Sequence, residues 1–430
     1  VAAGGVFAAG LYCNTGTLAP YAITYAPYVD PATGHVYNQD HVHFRVLFDF
    51  VDGQPRATWD QALLLRRILY PVIAYPAMKL FGFEAGGVGL NLLLNLAGFA
   101  GVVLWLRRRI GERGAVFAAW LLALYPGFAY WVGMPYQYAI IGPGSLGLTI
   151  ALVEIDRTDS WRRTLGWSLG MGGLYLGYDF APIFLPAAAL VLLARRRWRD
   201  LALALPAQVL PLFGWMLALR FVFHQALENS NTAVYRSVLD GLGSVHGWGA
   251  WLAQRADLWD TGVAAFLGAN FVFLPAAFLA ALALNRWTAR VRPDPAEWSV
   301  LAGGLLLFLV INLGTRGGGG WNMGGSWIAR LYQPVFPAMV FFLARWWQHL
   351  PPLAAWPRRL VRAGVGALLA ANALVLFGPL LGDPGGWSGE VFYRFYTHNS
   401  GARTNLYHQM LHALPRQTFG FGHPVPRPPP

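Results

Sequence analysis

The sequence predicts an all-α polytopic membrane protein with about 11 transmembrane helices and a large first extracytoplasmic loop. The prediction depends on three observations: 56% of the 430 residues are apolar, only 12% are charged, and long apolar runs recur along the chain. Soluble domains are roughly 45–50% apolar and about 25% charged. A chain so poor in charge is neither disordered nor an ordinary soluble enzyme.

Apolar runs that could form membrane-spanning helices follow one another from residue 86 onward. Such a helix takes about 20 mainly apolar residues. Residues 1–12 form a shorter run, which we interpret as the outer half of a first span; a cleaved signal peptide would leave a similar start. The predicted complete spans are 86–106, 115–134, 138–153, 164–178, 180–194, 201–222, 263–284, 299–313, 332–347 and 363–381.

The basic residues predict how these spans are oriented. The formal net charge is +12, and 18 of the 32 Lys and Arg residues lie in five short loops between apolar runs. These loops are 107–113, 154–163, 195–199, 285–298 and 345–362. If the first span runs outward, alternation places all five loops in the cytoplasm, as the positive-inside rule requires. The placement predicts contact with membrane lipids and no nucleic-acid partner.

The same orientation predicts where function lies. Residues 1–381 form the transmembrane domain, and four segments outside the cytoplasm hold most of the polar residues other than arginine: 13–85, 223–262, 314–331 and the tail 382–430. Within the first of them, residues 68–81 are apolar but too short and too rich in proline to span. We predict a juxtamembrane helix there. Function is therefore expected on the extracytoplasmic face.

Short motifs follow one another in the first loop. In chain order they are Asp40, Phe44, Gly53, Arg67-Ile68-Leu69-Tyr70-Pro71 and Phe81-Gly82, and a late span opens with Arg330-Leu331-Tyr332-Gln333-Pro334. The chain thereby resembles the C-type (GT-C) membrane glycosyltransferases, of the protein mannosyltransferase and aminoarabinose transferase kind. The resemblance implies a bacterial inner-membrane enzyme. It would transfer a hexosyl or pentosyl group, with inversion, from a polyprenyl-phosphate sugar to an extracytoplasmic acceptor.

A carboxylate in the first loop fits this chemistry. Transfer of a sugar to a hydroxyl needs a base that removes the acceptor proton, and a carboxylate at the membrane surface can act as one. Asp40 is the candidate general base, ahead of Asp30, Asp49 and Asp52. The alternative is that Asp40 is a solvated or capping residue of the loop.

Arginines are the candidates for binding the phosphate of the donor. The leaving group is an anionic phosphate, for which arginine offers a bidentate match. Arg330, Arg67 and Arg66 are the candidate contacts. Arg330 could instead anchor to lipid headgroups, and Arg66 and Arg67 could simply hold the juxtamembrane helix in place.

Further candidates lie in other external segments. Asp179 is a carboxylate near membrane depth, which is a functional candidate, although at a turn it could equally cap a helix or face water. Trp321 of the glycine-rich loop could stack on a sugar, or belong to the interfacial aromatic belt. Tyr332 belongs to the second motif and is a substrate-binding candidate. Acceptor contacts are expected in loop 223–262.

The sequence departs from the family pattern in its carboxylates. His41 follows Asp40 where many members have a second acidic residue, and residues 133–145 contain no carboxylate. A cluster of His35, His41 and His43 with Asp40 could in principle bind a divalent metal, but we expect neither a metal nor a cofactor besides the lipid-phosphate sugar. The departure favours an alternative, a catalytically inactive GT-C-like subunit with a protein partner outside the cytoplasm. A lipid-substrate transporter is a third reading, but it would need ionisable residues within the spans.

Overall fold

In the residues that it describes, the structure is a bundle of α-helices. It is a computed structural model that describes residues 1–14, 28–29, 36–37, 51, 67–132, 137–224, 273–292, 294–314, 331–352 and 355–377. The described helices are α1 (Ala2–Asn14), α2 (Leu69–Phe81), α3 (Phe83–Arg109), α4 (Glu112–Ala123), α5 (Pro126–Val132), α6 (Ile141–Arg157), α7 (Trp161–Tyr175), α8 (Ala181–Ala194), α9 (Trp198–Phe221), α10 (Phe273–Asn285), α11 (Pro295–Gly314), α12 (Phe336–His349) and α13 (Ala355–Phe377). Short 3-10 turns, Gln137–Ile140 and Gln333–Val335, precede α6 and α12. Strands β1 (Tyr28–Val29) and β2 (Val36–Tyr37) pair antiparallel.

The helical architecture predicted from the apolar runs is confirmed for the described residues. Three helical stretches are long and apolar enough to cross a membrane: Ala85–Arg109, Gln137–Arg157 and Trp198–Phe221. Shorter apolar helices are Ala2–Tyr12, Ala181–Ala194, Phe273–Asn285 and Pro295–Leu309. The total of about 11 crossings stays a prediction.

The predicted span 115–134 forms two helices instead of one. Helix α4 ends at Ala123 and α5 begins at Pro126, because proline lacks an N–H donor and disfavours helical conformation in the residue before it. Aromatic packing fixes the break: the rings of Tyr125 and Phe128 lie 4.6 and 5.6 Å from that of Phe336, between centroids. The helix is therefore interrupted inside an otherwise continuous apolar run.

Helix α6 lies at the centre of the bundle. In the most apolar part of Gln137–Arg157, 78% of the residues are buried, compared with 28% in Ala85–Arg109 and 17% in Trp198–Phe221. Helix α6 contacts α3, α7, α8, α11 and α12. The less buried helices direct apolar side chains outward, as helices that face lipid do.

All five arginine-rich loops meet at one end of the bundle, called here the arginine-rich end. Side-chain hydrogen bonds join the loops: Arg109 to Glu154, Arg195 to Asp156, Arg157 to Asp294, Arg345 to Glu297, and Arg113 to the carbonyl oxygen of Leu350. A shared end is what the predicted alternation of spans requires. Its location in the cytoplasm stays a prediction.

The predicted helix in the first loop is confirmed as α2, which is continuous through Pro76. After it, the chain folds back at Gly82, whose φ of 86° favours glycine. The helix then packs against the first turns of α3. A Cβ atom at Gly86 would overlap the backbone carbonyl oxygen of Ala77, so the two helices approach this closely only with glycine at that position. Helix α2 is therefore held along α3.

Candidate functional site

Three chain segments meet at the end of the bundle opposite the arginine-rich loops. Arg67 directly precedes α2, the turn Gln137–Ile140 leads into α6, and residues 176–180 join α7 to α8. The backbone N–H of Leu69 donates to the carbonyl oxygen of Leu176 at 3.1 Å. We call the side chains gathered here the Arg67–Asp179 cluster; its members are Arg67, Tyr138, Tyr178 and Asp179.

An ion pair between Arg67 and Asp179 joins the first loop to the turn before α8. The guanidinium donates through Nη2 to Oδ2 of the carboxylate, across 112 positions of the chain. The side chain of Arg67 is 9% exposed and that of Asp179 is 20% exposed. Burial lowers the pKa of Arg67, but the charge of Asp179, the hydrogen bond to it and the nearby hydroxyls of Tyr138 and Tyr178 together more than offset this and leave the pKa above its usual range. Arg67 is therefore a buried permanent cation.

Aromatic rings enclose this cation. Cζ of Arg67 lies 5.2 Å from the centroid of the Tyr178 ring, within the range of a cation–π contact. Tyr178 packs edge to face against Tyr138, with 5.9 Å between centroids, and against Phe180, with 5.4 Å. The rings exclude water from one side of the guanidinium, which strengthens its interaction with an anion.

The cluster and Gln137, the residue before Tyr138, keep hydrogen-bonding capacity that the described residues do not use. Nε of Arg67 has no partner among them, and neither amide atom of Gln137 has one, although Gln137 is only 1% exposed. Buried polar groups are normally hydrogen-bonded. An arginine carries five N–H donors, so pairing with Asp179 leaves a donor for a further anion.

A buried polar chain fixes α2 beside the cluster. The hydroxyl of Tyr70 donates to Oδ1 of Asn91 at 2.6 Å, and Nδ2 of Asn91 donates to the carbonyl oxygen of Val132 at 3.0 Å. Nδ2 of Asn95 donates to the carbonyl oxygen of Asn91 at 2.8 Å. Burial raises the pKa of Tyr70, so the phenol stays a neutral donor. These bonds connect α2, α3 and α5.

The structure brings together two residues that the sequence predicted separately, Arg67 and Asp179. Tyr332, the other described candidate, is buried, and its ring lies 6.0 Å from that of Phe308 in α11. The next residue, Gln333, donates to the carbonyl oxygen of Gly127 at 3.2 Å. These contacts make Tyr332 part of the packing before α12.

The remaining candidates lie outside the described residues. They are the proposed base Asp40, the arginines Arg66 and Arg330, Trp321, the alternative bases Asp30, Asp49 and Asp52, and the histidines His35, His41 and His43. Within the described part of the chain, no group of three His, Cys, Asp or Glu residues could hold a metal ion. The expectation of a metal-free site stays a prediction, because the histidine group lies elsewhere.

The residues around the ion pair were not predicted from the sequence. Gln137 and Tyr138 lie in a turn noted only for its lack of carboxylates, and Tyr178 was not distinguished from its neighbour Asp179. A signal for the polar chain was present: Asn91 and Asn95 are four residues apart in an apolar run, and polar side chains in such runs face the protein interior.

No family model, no curated protein and no solved structure matches the chain. The functional assignment therefore depends on the motifs of the sequence and on the geometry of the Arg67–Asp179 cluster.

Proposed function

We propose that the chain is an integral membrane glycosyltransferase that moves a sugar from a polyprenyl-phosphate donor to an acceptor on the extracytoplasmic face. One observation carries the proposal: Arg67, from the segment that resembles a GT-C motif, is a buried cation at the end opposite the arginine-rich loops. Tyr70, three residues later in that motif, anchors α2 on the bundle. A cation held in a nearly water-free setting suits an anionic lipid phosphate.

The reaction is a single displacement at the anomeric carbon. The carboxylate of Asp40 accepts the proton of the acceptor hydroxyl, and the hydroxyl oxygen bonds to the anomeric carbon. The bond between that carbon and the phosphate oxygen breaks at the same time. The polyprenyl phosphate leaves as an anion, and the configuration of the sugar inverts.

Arg67 has the role of binding the departing phosphate in this scheme, with Arg66 and Arg330 as further cations. Asp179 is a positioning residue, because it holds one edge of the guanidinium while Nε stays available. Trp321 would stack on the sugar. Tyr332, buried against Phe308, would position the segment that carries Arg330.

A second function is that of a catalytically inactive subunit of a larger membrane complex. It is favoured if the ion pair between Arg67 and Asp179 has a structural role and does not bind phosphate. Arg67 already has a counter-ion in Asp179, and the backbone hydrogen bond from Leu69 to Leu176 lies beside this pair. Together the two interactions would hold the start of α2 against the segment before α8. The absence of a carboxylate from residues 133–145 also supports this function. A protein partner would then cover the same external face.

The test is transfer of label from a pool of polyprenyl-phosphate sugars to membrane acceptors by the full chain in proteoliposomes. Asp40→Asn should lower transfer by about 100-fold or more, the usual contribution of a general base. Asp159→Asn, at an exposed carboxylate of the arginine-rich end, is the matched control and should transfer like wild type.

Two results would count against parts of the proposal. Equal transfer by wild type and Asp40→Asn would remove Asp40 from the mechanism and direct attention to Asp30, Asp49 and Asp52. An absence of transfer by folded wild-type protein across a broad donor set would contradict the enzyme and favour the structural subunit.

A further inference from the structure

Two arginines at the arginine-rich end share the ring of one tryptophan. Cζ of Arg162 lies 5.5 Å from the centroid of the Trp161 ring, and Cζ of Arg199 lies 5.3 Å from it. Trp161 opens α7 and Arg199 lies in the first turn of α9, and these two helices pack against each other. All three residues are exposed. They are called here the two-arginine site.

The charges at this site are not balanced by the described residues. Neither Arg162 nor Arg199 forms an ion pair within the described part of the chain, whereas Arg195 and Arg197 beside them are paired with Asp156 and Asp200. The carboxylate of Asp200, in the first turn of α9, is therefore already engaged. Two cations held against one ring repel each other, and an anion between them would relieve that repulsion.

An apolar stripe on α9 begins at Arg199. Residues at helical spacing from it share its exposed face: Ala202, Pro206, Leu210, Phe213, Leu217 and Phe221. Leu210 is 60% exposed and Phe213 is 56% exposed, in a helix long and apolar enough to cross a membrane. On α7, Arg162 likewise precedes Gly166 and the exposed Leu169 on one face. Each arginine therefore lies at the end of a surface suited to lipid chains.

We infer that the two-arginine site binds an anionic phospholipid, with its phosphate between Arg162 and Arg199 and its acyl chains along the stripe that begins at Ala202. Basic side chains next to membrane-spanning helices attract anionic headgroups, and tryptophan is common at the membrane–water interface. Soluble phosphate would use the arginines but not the stripe. A phospholipid uses both, which is why the site is assigned to lipid.

Native mass spectrometry of the full chain, titrated with phosphatidylglycerol or phosphatidylcholine, tests the assignment. Arg162→Gln combined with Arg199→Gln should raise the Kd for phosphatidylglycerol about 30-fold, since each such arginine contributes about fivefold. Binding of phosphatidylcholine should stay the same. The matched control is Arg108→Gln combined with Arg286→Gln, which removes the same charge from exposed positions at the same end and should change the Kd less than about threefold.

Substitution of Trp161 distinguishes a specific binding site from nonspecific electrostatic attraction of anionic lipid. Trp161→Ala should weaken phosphatidylglycerol binding because both arginines lose their support, and Trp161→Phe should keep most of it. Equal weakening by the two double variants would overturn the site, since bulk charge would then explain binding. Competition by inorganic phosphate at concentrations equal to those of the lipid would overturn the assignment to lipid.

Discussion

The two ends of the bundle use charge in different ways. At the arginine-rich end, five loops are joined by many ion pairs, from exposed ones such as Arg107–Glu112 to the buried Arg345–Glu297 pair, in which the side chains are 14% and 5% exposed. At the opposite end, the described residues form one ion pair, between Arg67 at 9% and Asp179 at 20%. Where ion pairs are many, they join loops to one another, whereas an isolated buried pair is the more informative sign of a site.

The largest effect is expected from Asp179→Asn. The substitution leaves Arg67 buried without its counter-charge, and removal of one partner from a buried pair costs about 3 kcal/mol or more. The apparent melting temperature of the full chain in detergent should fall by several degrees. Arg67→Met combined with Asp179→Leu removes both charges and should recover much of the loss. A single variant that melts like wild type would show that the pair contributes little.

An intermediate effect is expected where α2 meets α3. Gly86→Ala places a methyl group against the carbonyl oxygen of Ala77, and overpacking of this kind costs about 1–3 kcal/mol. Gly89→Ala is the matched control three residues further along α3, where a Cβ meets open space, and it should be neutral or stabilising. Thermal unfolding compares them. Equal melting temperatures would contradict the close approach of α2.

The smallest effect is expected at the arginine-rich end. Arg107 and Glu112 form a pair at 3.6 Å with side chains 63% and 75% exposed, and such pairs contribute little. Arg107→Gln should leave the melting temperature unchanged within error. A shift as large as that of Asp179→Asn would remove the difference between the two ends.

The positions of most described helices could be predicted because apolar runs mark them between the arginine clusters. The break before Pro126 was missed, since its apolar run is continuous and only the packing of Tyr125 and Phe128 on Phe336 fixes it. Contacts between the five basic loops follow from alternation of the spans.

The candidate site was predictable residue by residue but not as an assembly. Arg67 was a candidate because of its motif, and Asp179 was a candidate because it is a carboxylate at a turn near membrane depth. No local pattern connects positions 112 residues apart, so their pairing needs the packing of α2 against the turn before α8. The enclosing rings of Tyr138 and Tyr178 depend on the same packing.

The most direct test compares sugar transfer per folded molecule for Asp179→Asn and Asp156→Asn in proteoliposomes. Asp156 is the matched carboxylate at the arginine-rich end, 2% exposed and bound by two nitrogens of Arg195. We expect Asp156→Asn to keep the transfer of wild type per folded molecule, and Asp179→Asn to lose about 100-fold because Arg67 is displaced. Equal transfer by the two folded variants would contradict it and leave the Arg67–Asp179 pair as a clamp alone.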